Sequence, residues 1–451
     1  MDISFFRRGI KLSRRARPGK IEQIPPPGRA VLSLQQGSGP PAEPSIEIGE
    51  TVKVGQTLAQ CASGSGADLH ASISGEVTAF EDLHFPNGTT VKALVIEGDG
   101  KDTWAEPERD DKPLTASPGE LLERIRRGGV IREGSETKSL AEVIGEAMSP
   151  RGYLSSTGST VAKPVRHIAV RFADQDPHLD ALAAMTETIG DKTADLDLGV
   201  KVLASITGAE QIHFVLDNKQ KTPGLDKLAD DNDYAVLRLD ATNYPDLSSP
   251  MVARAVSGKE PDTAFKRVHE NGILVLDVDT VLETALAARD RRPVVNKLIT
   301  VNGPAGAGVF EARLGTPLAD IVSAAGQKKE IGKVVLGGPM KGIAHHNLEF
   351  PLTKEISGIT LFSRDQIDLA VNDPCVGCGL CSMVCPIRLT PGMLSRYCEF
   401  SSWDLAEEAH LFSCIECGCC AYVCPAGRSM VQFMIQGKRE VLAARRGGNN
   451  A

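Results

Sequence analysis

The chain has 451 residues, 41% of them hydrophobic and 24% charged, with a formal net charge of −8. That length exceeds what one hydrophobic core supports and implies three or four domains; no apolar run approaches the eighteen or so residues of a membrane span. The first twenty residues, MDISFFRRGIKLSRRARPGK, carry seven basic groups and one acidic one, which leaves −14 for the rest and speaks against nucleic acid as a partner.

Residues 1–27 read as a basic N-terminal arm. It lacks the apolar core of a signal peptide, so export is not expected. Such an arm suits anionic lipid or an acidic subunit, or it is a solvated tail. From 28 to 98 short alternating strands are punctuated by Gly and Pro: Ala30–Leu34, Ser45–Ile48, Thr51–Val54, Gly75–Thr78 and Lys92–Ile96. The phrases at 48–58 and His70-Ala-Ser-Ile-Ser-Gly-Glu-Val77 resemble the barrel-sandwich hybrid of biotinyl and lipoyl carriers. Carriers place a modifiable Lys just upstream of the position of Ser74-Gly75. Here Ala71-Ser72-Ile73 stands in that place, so a docking module is expected rather than a swinging arm.

Residues 99–118 are polar and contain proline, which reads as a linker. The next domain is read over 118–292: a helical segment from Pro118 to Arg127, a Gly- and Ser-dotted region to about Lys163, and from Arg166 the strand–helix alternation that predicts an α/β domain with a mainly parallel sheet. Its strands are expected at His167–Phe172, Gln211–Leu216, Val236–Leu239 and Gly272–Asp277. Helices are expected from Ala183 to Ile206 and from Val278 to Arg289. Over 293–350, Lys297–Pro304, Gly315–Val322 and Lys333–Gly342 give strand, helix and strand with a Gly-rich exit, the pattern of a β-grasp unit. A connector leads to a C-terminal domain over 366–446. It ends in a helix from Met430 to Ala444 with apolar residues at 430, 433, 434, 441 and 442.

That last domain holds the chemistry. It reads Cys375-Val-Gly-Cys378-Gly-Leu-Cys381-Ser-Met-Val-Cys385-Pro386 and, further on, Cys414-Ile-Glu-Cys417-Gly-Cys-Cys420-Ala-Tyr-Val-Cys424-Pro425. Each half is the C-x2-C-x2-C-x3-C-P run of two-cluster ferredoxins, whose fourth Cys ligates the other cluster. Cys375, Cys378, Cys381 and Cys424 are therefore assigned to one [4Fe–4S] cluster, and Cys414, Cys417, Cys420 and Cys385 to a second. Structural zinc also uses C-x2-C pairs, but two pairs complete a zinc site and leave no use for the third Cys or the x3-C-P. Disulfides among eight such crowded residues would be strained. Cys61, Cys398 and Cys419 receive no role. Oxygen-sensitive clusters suit a reducing compartment.

The order of modules resembles the C subunit of the Rnf ion-translocating electron-transport complex. The likeness is strongest in Pro41-Ala-Glu-Pro44, Leu298-Ile-Thr-Val-Asn-Gly-Pro304, Leu336-Gly-Gly-Pro-Met-Lys-Gly342 and His410-Leu-Phe-Ser-Cys-Ile-Glu-Cys417. It implies a multidomain α/β and α+β chain: barrel-sandwich hybrid, complex I flavoprotein-like α/β domain, SLBB-like β-grasp domain and two-cluster ferredoxin-like domain. It also implies a peripheral subunit on the cytoplasmic face of the cell membrane. The implied partners are membrane subunits and a neighbouring iron–sulfur or cytochrome carrier, with membrane contact through them and through the arm.

Three departures from the family qualify this. Where the family has G-x-G-G-A-G-F-P-T, this chain has Gly128-Gly-Val-Ile-Arg-Glu-Gly-Ser-Glu-Thr-Lys-Ser139. Where it has N-G-A-E-C-E-P, this chain has Arg171-Phe-Ala-Asp-Gln-Asp-Pro177. The N-terminal arm also lacks the family's Gly-rich, His-containing opening. A phosphate needs close backbone N–H groups; bulk in the first loop opposes that, and Phe172, where the family has Gly, is expected to narrow the second loop as well. FMN and NADH are accordingly not expected, and NADH dehydrogenase activity of the chain's own is expected to be lost. The competing readings are an FMN-containing, NADH-oxidising subunit, a scaffold with idle clusters, and a soluble cobalamin reductase-like protein.

Overall fold

The computed structural model describes residues 8–12, 20–61, 66–86, 88–106, 108–132, 137–148, 164–260, 271–304, 306–326, 329–367 and 373–448. The rest of the basic arm and the centre of the 128–139 loop lie outside them.

The hybrid region is two facing sheets. One has the order Arg29–Ser33, Thr90–Gly98, Gly75–His84, Thr51–Val52; the other has Glu43–Pro44, Thr57–Gln60, Leu69–His70. Leu32, Val52, Leu58, Leu69, Val77, Leu94 and Ile96 close the core between them. The strand expected at Ser45–Ile48 does not form. Gly49 turns the chain at φ 93°, the Glu47 N–H donates to the Glu50 carboxylate at 2.8 Å, and Ile48 is left exposed. The expected linker is also pinned. Arg292 and Arg313 stack on Trp104 at 4.5 and 5.0 Å, and Arg313 is bonded twice to Asp102.

The α/β region carries a four-stranded, all-parallel sheet in the order Ala235–Leu239, Gln211–Asp217, His167–Arg171, Ile273–Asp277. Its two central strands are covered on both faces. Ile168, Ala169 and Val170 are fully buried, as the unbroken apolar runs of a parallel sheet require. Helices Thr193–Thr207 and Val278–Asp290 lie side by side, and Gly199 allows the contact. A Cβ there would run into the Val281 carbonyl oxygen.

A six-stranded mixed sheet follows, ordered Ile21–Gln23, Gly308–Arg313, Asn296–Asn302, Gly358–Ser363, Ile331–Leu336, Ile343–His345. Asn296–Asn302 and Gly358–Ser363 are its parallel central pair, and Leu318, Ile321 and Val322 of helix Leu318–Ala324 contribute to its core. This sheet overruns the boundaries read from sequence. Its strand 358–363 lies past the expected end at 350, and its edge strand 21–23 comes from the segment read as an arm. That segment is woven in twice, since Ile10–Lys11 also pairs with Asn243–Tyr244. Over residues 8–12 and 20–27 the basic arm is therefore no solvated tail.

The C-terminal region is helical: Leu380–Val384, Pro391–Glu399, Trp403–Glu408, Cys419–Tyr422 and Met430–Gly448. Met430, Met434 and Val441 are buried against Leu394, Cys398 and Leu411, whereas Leu442 is exposed. The apolar stripe of the last helix thus serves core packing.

The helix–helix contact gives a direct test. Gly199→Ala is expected to overpack the interface and cost about 1–3 kcal/mol, seen as a lower thermal midpoint with unchanged secondary structure by circular dichroism.

Candidate cysteine centres and the cleft beside them

The two cysteine runs share one backbone path repeated 39 residues apart. Three matched pairs have positive φ: Gly377 and Glu416 (70° and 54°), Gly379 and Gly418 (78° and 83°), Arg388 and Gly427 (60° and 57°). Each left-handed residue bends the chain back, so a run wraps around a point rather than extending. The short helices Leu380–Val384 and Cys419–Tyr422 start directly after Gly379 and Gly418.

Cys385, Cys414, Cys417 and Cys420 line one small hollow, together with Cys419, Pro386, Ile415 and Met434. Three come from the second run and the fourth from the first, and all four are buried. Burial pushes the Cys414 thiol up to about 12, with Lys438 pulling the other way. Burial likewise raises Cys385 and Cys420. Cys417 moves down to about 7, chiefly through its hydrogen bond with the Cys419 thiol. Of the other four residues, Cys375 and Cys378 are exposed, while Cys381 and Cys424 are half-buried against the helical core. Among the described residues no three His, Cys, Asp or Glu side chains converge as ligands of a single ion. A cubane asks for something wider, since its four thiolates bind four different irons. A soft, all-thiol donor set with glycine turns around it fits that group.

The surroundings of the buried set come from the whole chain. The Tyr244 hydroxyl donates to the Cys417 carbonyl at 2.6 Å. Ile10, Leu12, Met340, Val384, Ile387 and Val423 form an apolar jacket with Tyr244, Ile415 and Cys419. Lys438 reaches the Cys414 carbonyl at 2.6 Å and Glu416 at 2.7 Å. Arg8 donates to the Ser382 carbonyl in the other run. Neither Tyr244 nor Lys438 was marked by sequence reasoning. The helix from 430 was read only for its apolar stripe, and nothing local marks Tyr244. Cys419 is buried with its thiol toward the Tyr244 carbonyl, Cys398 packs beside Gly437, and Cys61 faces the Ala67 carbonyl.

A broad cleft opens beside this centre, at the carboxyl ends of the parallel strands, where ligands bind in open α/β sheets. Asp174, Asp176, Asp277, Asp279, Lys297, the 337–342 loop, Glu416 and Tyr422 line it. Much of its polar lining is already engaged. Asp174 accepts from the Leu182 N–H at the start of helix Ala181–Glu187, at 3.0 Å. Asp176 accepts from the N–H groups of Met340 and Lys341 at 3.3 and 3.0 Å, closing the Gly-rich loop on itself. Arg171 is buried against Asp277 and also donates to the Leu247 carbonyl at 2.7 Å. Burial and then Asp277 push Asp279 up to about 7, and burial brings Lys297 down to about 7; the two stand 3.7 Å apart.

The first departing loop is a hairpin, Ile131–Arg132 against Lys138–Ser139. Ser38 of the hybrid region donates to the Thr137 carbonyl through both N–H and hydroxyl. The two glycines at its start serve packing. A Cβ on Gly128 would meet Ala287 at 2.7 Å, and one on Gly129 would meet Lys354 and the Asp68 carbonyl at the same distance. Phe172, expected to narrow the second loop, does not face the cleft. It is fully buried edge-to-face with Phe214, because it points to the sheet face covered by helices Thr193–Thr207 and Val278–Asp290.

A hybrid domain, a parallel α/β sheet, a mixed sheet and paired cysteine runs define a multidomain subunit of redox type, and comparison with known proteins gives its family. The model for the RnfC barrel sandwich hybrid domain matches residues 4–101. The chain is 31% identical over 437 residues to the C subunit of the proton-translocating ferredoxin:NAD(+) oxidoreductase complex of Clostridium ljungdahlii, covering 94% of this chain and 90% of that one. It is 29% identical over 432 residues to the C subunit of the Na(+)-translocating ferredoxin:NAD(+) oxidoreductase complex of Acetobacterium woodii, covering 94% and 93%. The chain belongs to the family of Rnf complex C subunits. Among solved structures it is similar to an NAD+-reducing [NiFe]-hydrogenase in the H2-reduced state, with 16% identity and a TM-score of 0.45 over 74% of this chain and 63% of that one.

Asp176 ties the α/β region to the mixed sheet. Asp176→Leu is expected to cost about 1.5–3 kcal/mol, the range for hydrogen bonds to a charged group, and to speed protease cleavage within 337–342. Limited proteolysis read by mass spectrometry checks it.

Proposed function

We propose that the chain is the peripheral electron-transfer subunit of an Rnf-type, ion-translocating oxidoreductase, relaying electrons through two [4Fe–4S] clusters without an NADH/FMN site of its own. Cys375, Cys378, Cys381 and Cys424 would hold the first cluster; Cys385, Cys414, Cys417 and Cys420 would hold the second. The observation that carries the reading is the hollow lined by Cys385 of the first run and by Cys414, Cys417 and Cys420 of the second, with the off-register Cys419 beside them. When bound, such clusters supply reversible one-electron transfer.

The residues divide the labour unequally. Cys375 and Cys378 are exposed beside Val376 and Met383, themselves 70% and 68% exposed. That face suits exchange with a neighbouring iron–sulfur or cytochrome carrier. The second set is closed off by the apolar jacket. The names of the relatives, C subunits of ferredoxin:NAD(+) oxidoreductase complexes, support membrane subunits as partners. Among the described residues no helix is long and apolar enough to cross a membrane. Attachment to the cytoplasmic face through those partners, aided by the basic N-terminal residues, agrees with that. The mixed sheet, with strands 308–313, 296–302, 358–363 and 331–336 in that order around one helix, supports a β-grasp, SLBB-like domain. The parallel sheet supports a complex I flavoprotein-like ancestry for the α/β domain. Loss of the nucleotide site is supported by the hairpin in the first loop and by the prior engagement of Asp174, Asp176 and Arg171.

The breadth of the cleft favours a second reading, in which the subunit keeps FMN and oxidises NADH. Anaerobic purification followed by flavin analysis and NADH-dependent ferricyanide reduction separates the two. Little flavin and no NADH-dependent rate are expected; stoichiometric FMN with rapid turnover would establish the second reading. The crossed ligation has its own test. Cys424→Ala is expected to abolish the EPR signal of the cluster whose other ligands lie some forty residues upstream, and an intact first cluster in that variant would refute the assignment.

A further inference from the structure

We propose that the buried ion pair of Lys438 with Glu416 sets the reduction potential of the second centre and makes the two centres electrically unequal; the inference rests on the two-cluster reading above. Lys438 projects from helix Met430–Gly448 into the cysteine loop. Its ammonium donates to the Cys414 carbonyl at 2.6 Å and to Glu416 Oε1 at 2.7 Å. Glu416 sits between two of the cysteines, and its own N–H points at Cys414 Sγ from 3.4 Å. The two side chains are only 11% and 19% exposed, so solvent screens them little.

Accepting an electron adds one negative charge to a four-thiolate centre and moves no proton. A neighbouring ammonium stabilises that reduced form, and a neighbouring carboxylate destabilises it. In the native pair the two effects oppose each other, and removing either partner uncovers the other. The 39-residue repeat shows that the device belongs to one centre. Gly377 stands in the place of Glu416, and Glu399, bonded to Arg428, stands in the place of Lys438. Two chain segments with the same backbone path thus differ in fixed charge at both matched positions.

The test is an EPR-monitored redox titration of the full chain, purified anaerobically, as wild type, Lys438→Met, Lys438→Arg and Glu416→Gln. In Lys438→Met the uncovered carboxylate is expected to lower the potential of the second centre, shifting electron partition toward the first by at least tenfold, about 59 mV for a one-electron couple. Glu416→Gln is expected to move it the opposite way by a similar factor, and Lys438→Arg to leave it near wild type. The first centre serves as the internal reference. Shifts of the same sign in Lys438→Met and Glu416→Gln, or no shift in either, would overturn the proposal. If Lys438→Met fails to retain iron, the sign of the Glu416→Gln shift alone decides. Iron content and signal count of the wild type test the two-cluster reading separately, so failure there is distinguishable from failure of the charge pair.

Discussion

A buried group of cysteines is the feature on which the rest of this structure turns. Cys385, Cys414, Cys417 and Cys420 stand inside the protein, where an uncompensated thiolate is strongly disfavoured. Such a set is tenable when cations and hydrogen-bond donors surround it and water is kept out. The C-terminal helices supply Lys438, but the other parts come from far away in sequence: Tyr244 from the α/β region, Met340 from the mixed sheet, Ile10 from the N-terminal segment. This explains why a two-residue strand at Ile10–Lys11 forms at all. Its pairing with Asn243–Tyr244 brings Ile10 and Tyr244 onto the same patch of the cysteine loops.

A similar saturation governs the cleft. The carboxyl ends of a parallel sheet are a natural place for a nucleotide, yet here the side chains at those ends have partners within the protein. A carboxylate that caps Leu182, or one that holds the 337–342 loop, has fewer lone pairs left for a ribose. Arg171 neutralises Asp277 rather than a phosphate. Ala287 and Lys354 press against Gly128 and Gly129, so packing alone accounts for the two glycines at the start of this loop.

Legibility in the sequence followed the range of the interaction. Periodicity placed the strand at Gln211–Asp217 and the helix at Val278–Asp290 almost to the residue, because local burial pattern decides them. The cysteine spacing carried its own wrapping geometry in Gly377, Gly379 and Gly418. The strand expected at 45–48 failed because a two-residue period is also met by a turn, and Gly49 settled the matter. Strands 21–23 and 358–363 are short or follow a connector, and only their partners in the mixed sheet make them strands. Phe172 was misplaced for the same reason. Which face of a strand end meets the cleft is set by the neighbouring strands, not by a motif comparison.

The repeat between the cysteine runs shows what duplication leaves unequal. Three pairs of left-handed residues give the two halves one path, so backbone alone would make two equivalent centres. Equivalence is broken by what each half meets. The second run is pressed against Tyr244 and Met340 and enclosed, while the first leaves Cys375 and Cys378 at the surface. Enclosure disfavours added negative charge, exposure tolerates it, and fixed charges such as Lys438 and Glu416 act most strongly where water is absent. Part of the asymmetry therefore originates outside the repeat, in domains that carry no cysteine ligand. An electron moving between two such centres would sense the position of the N-terminal strand and of the α/β region as surely as the spacing of the cysteines.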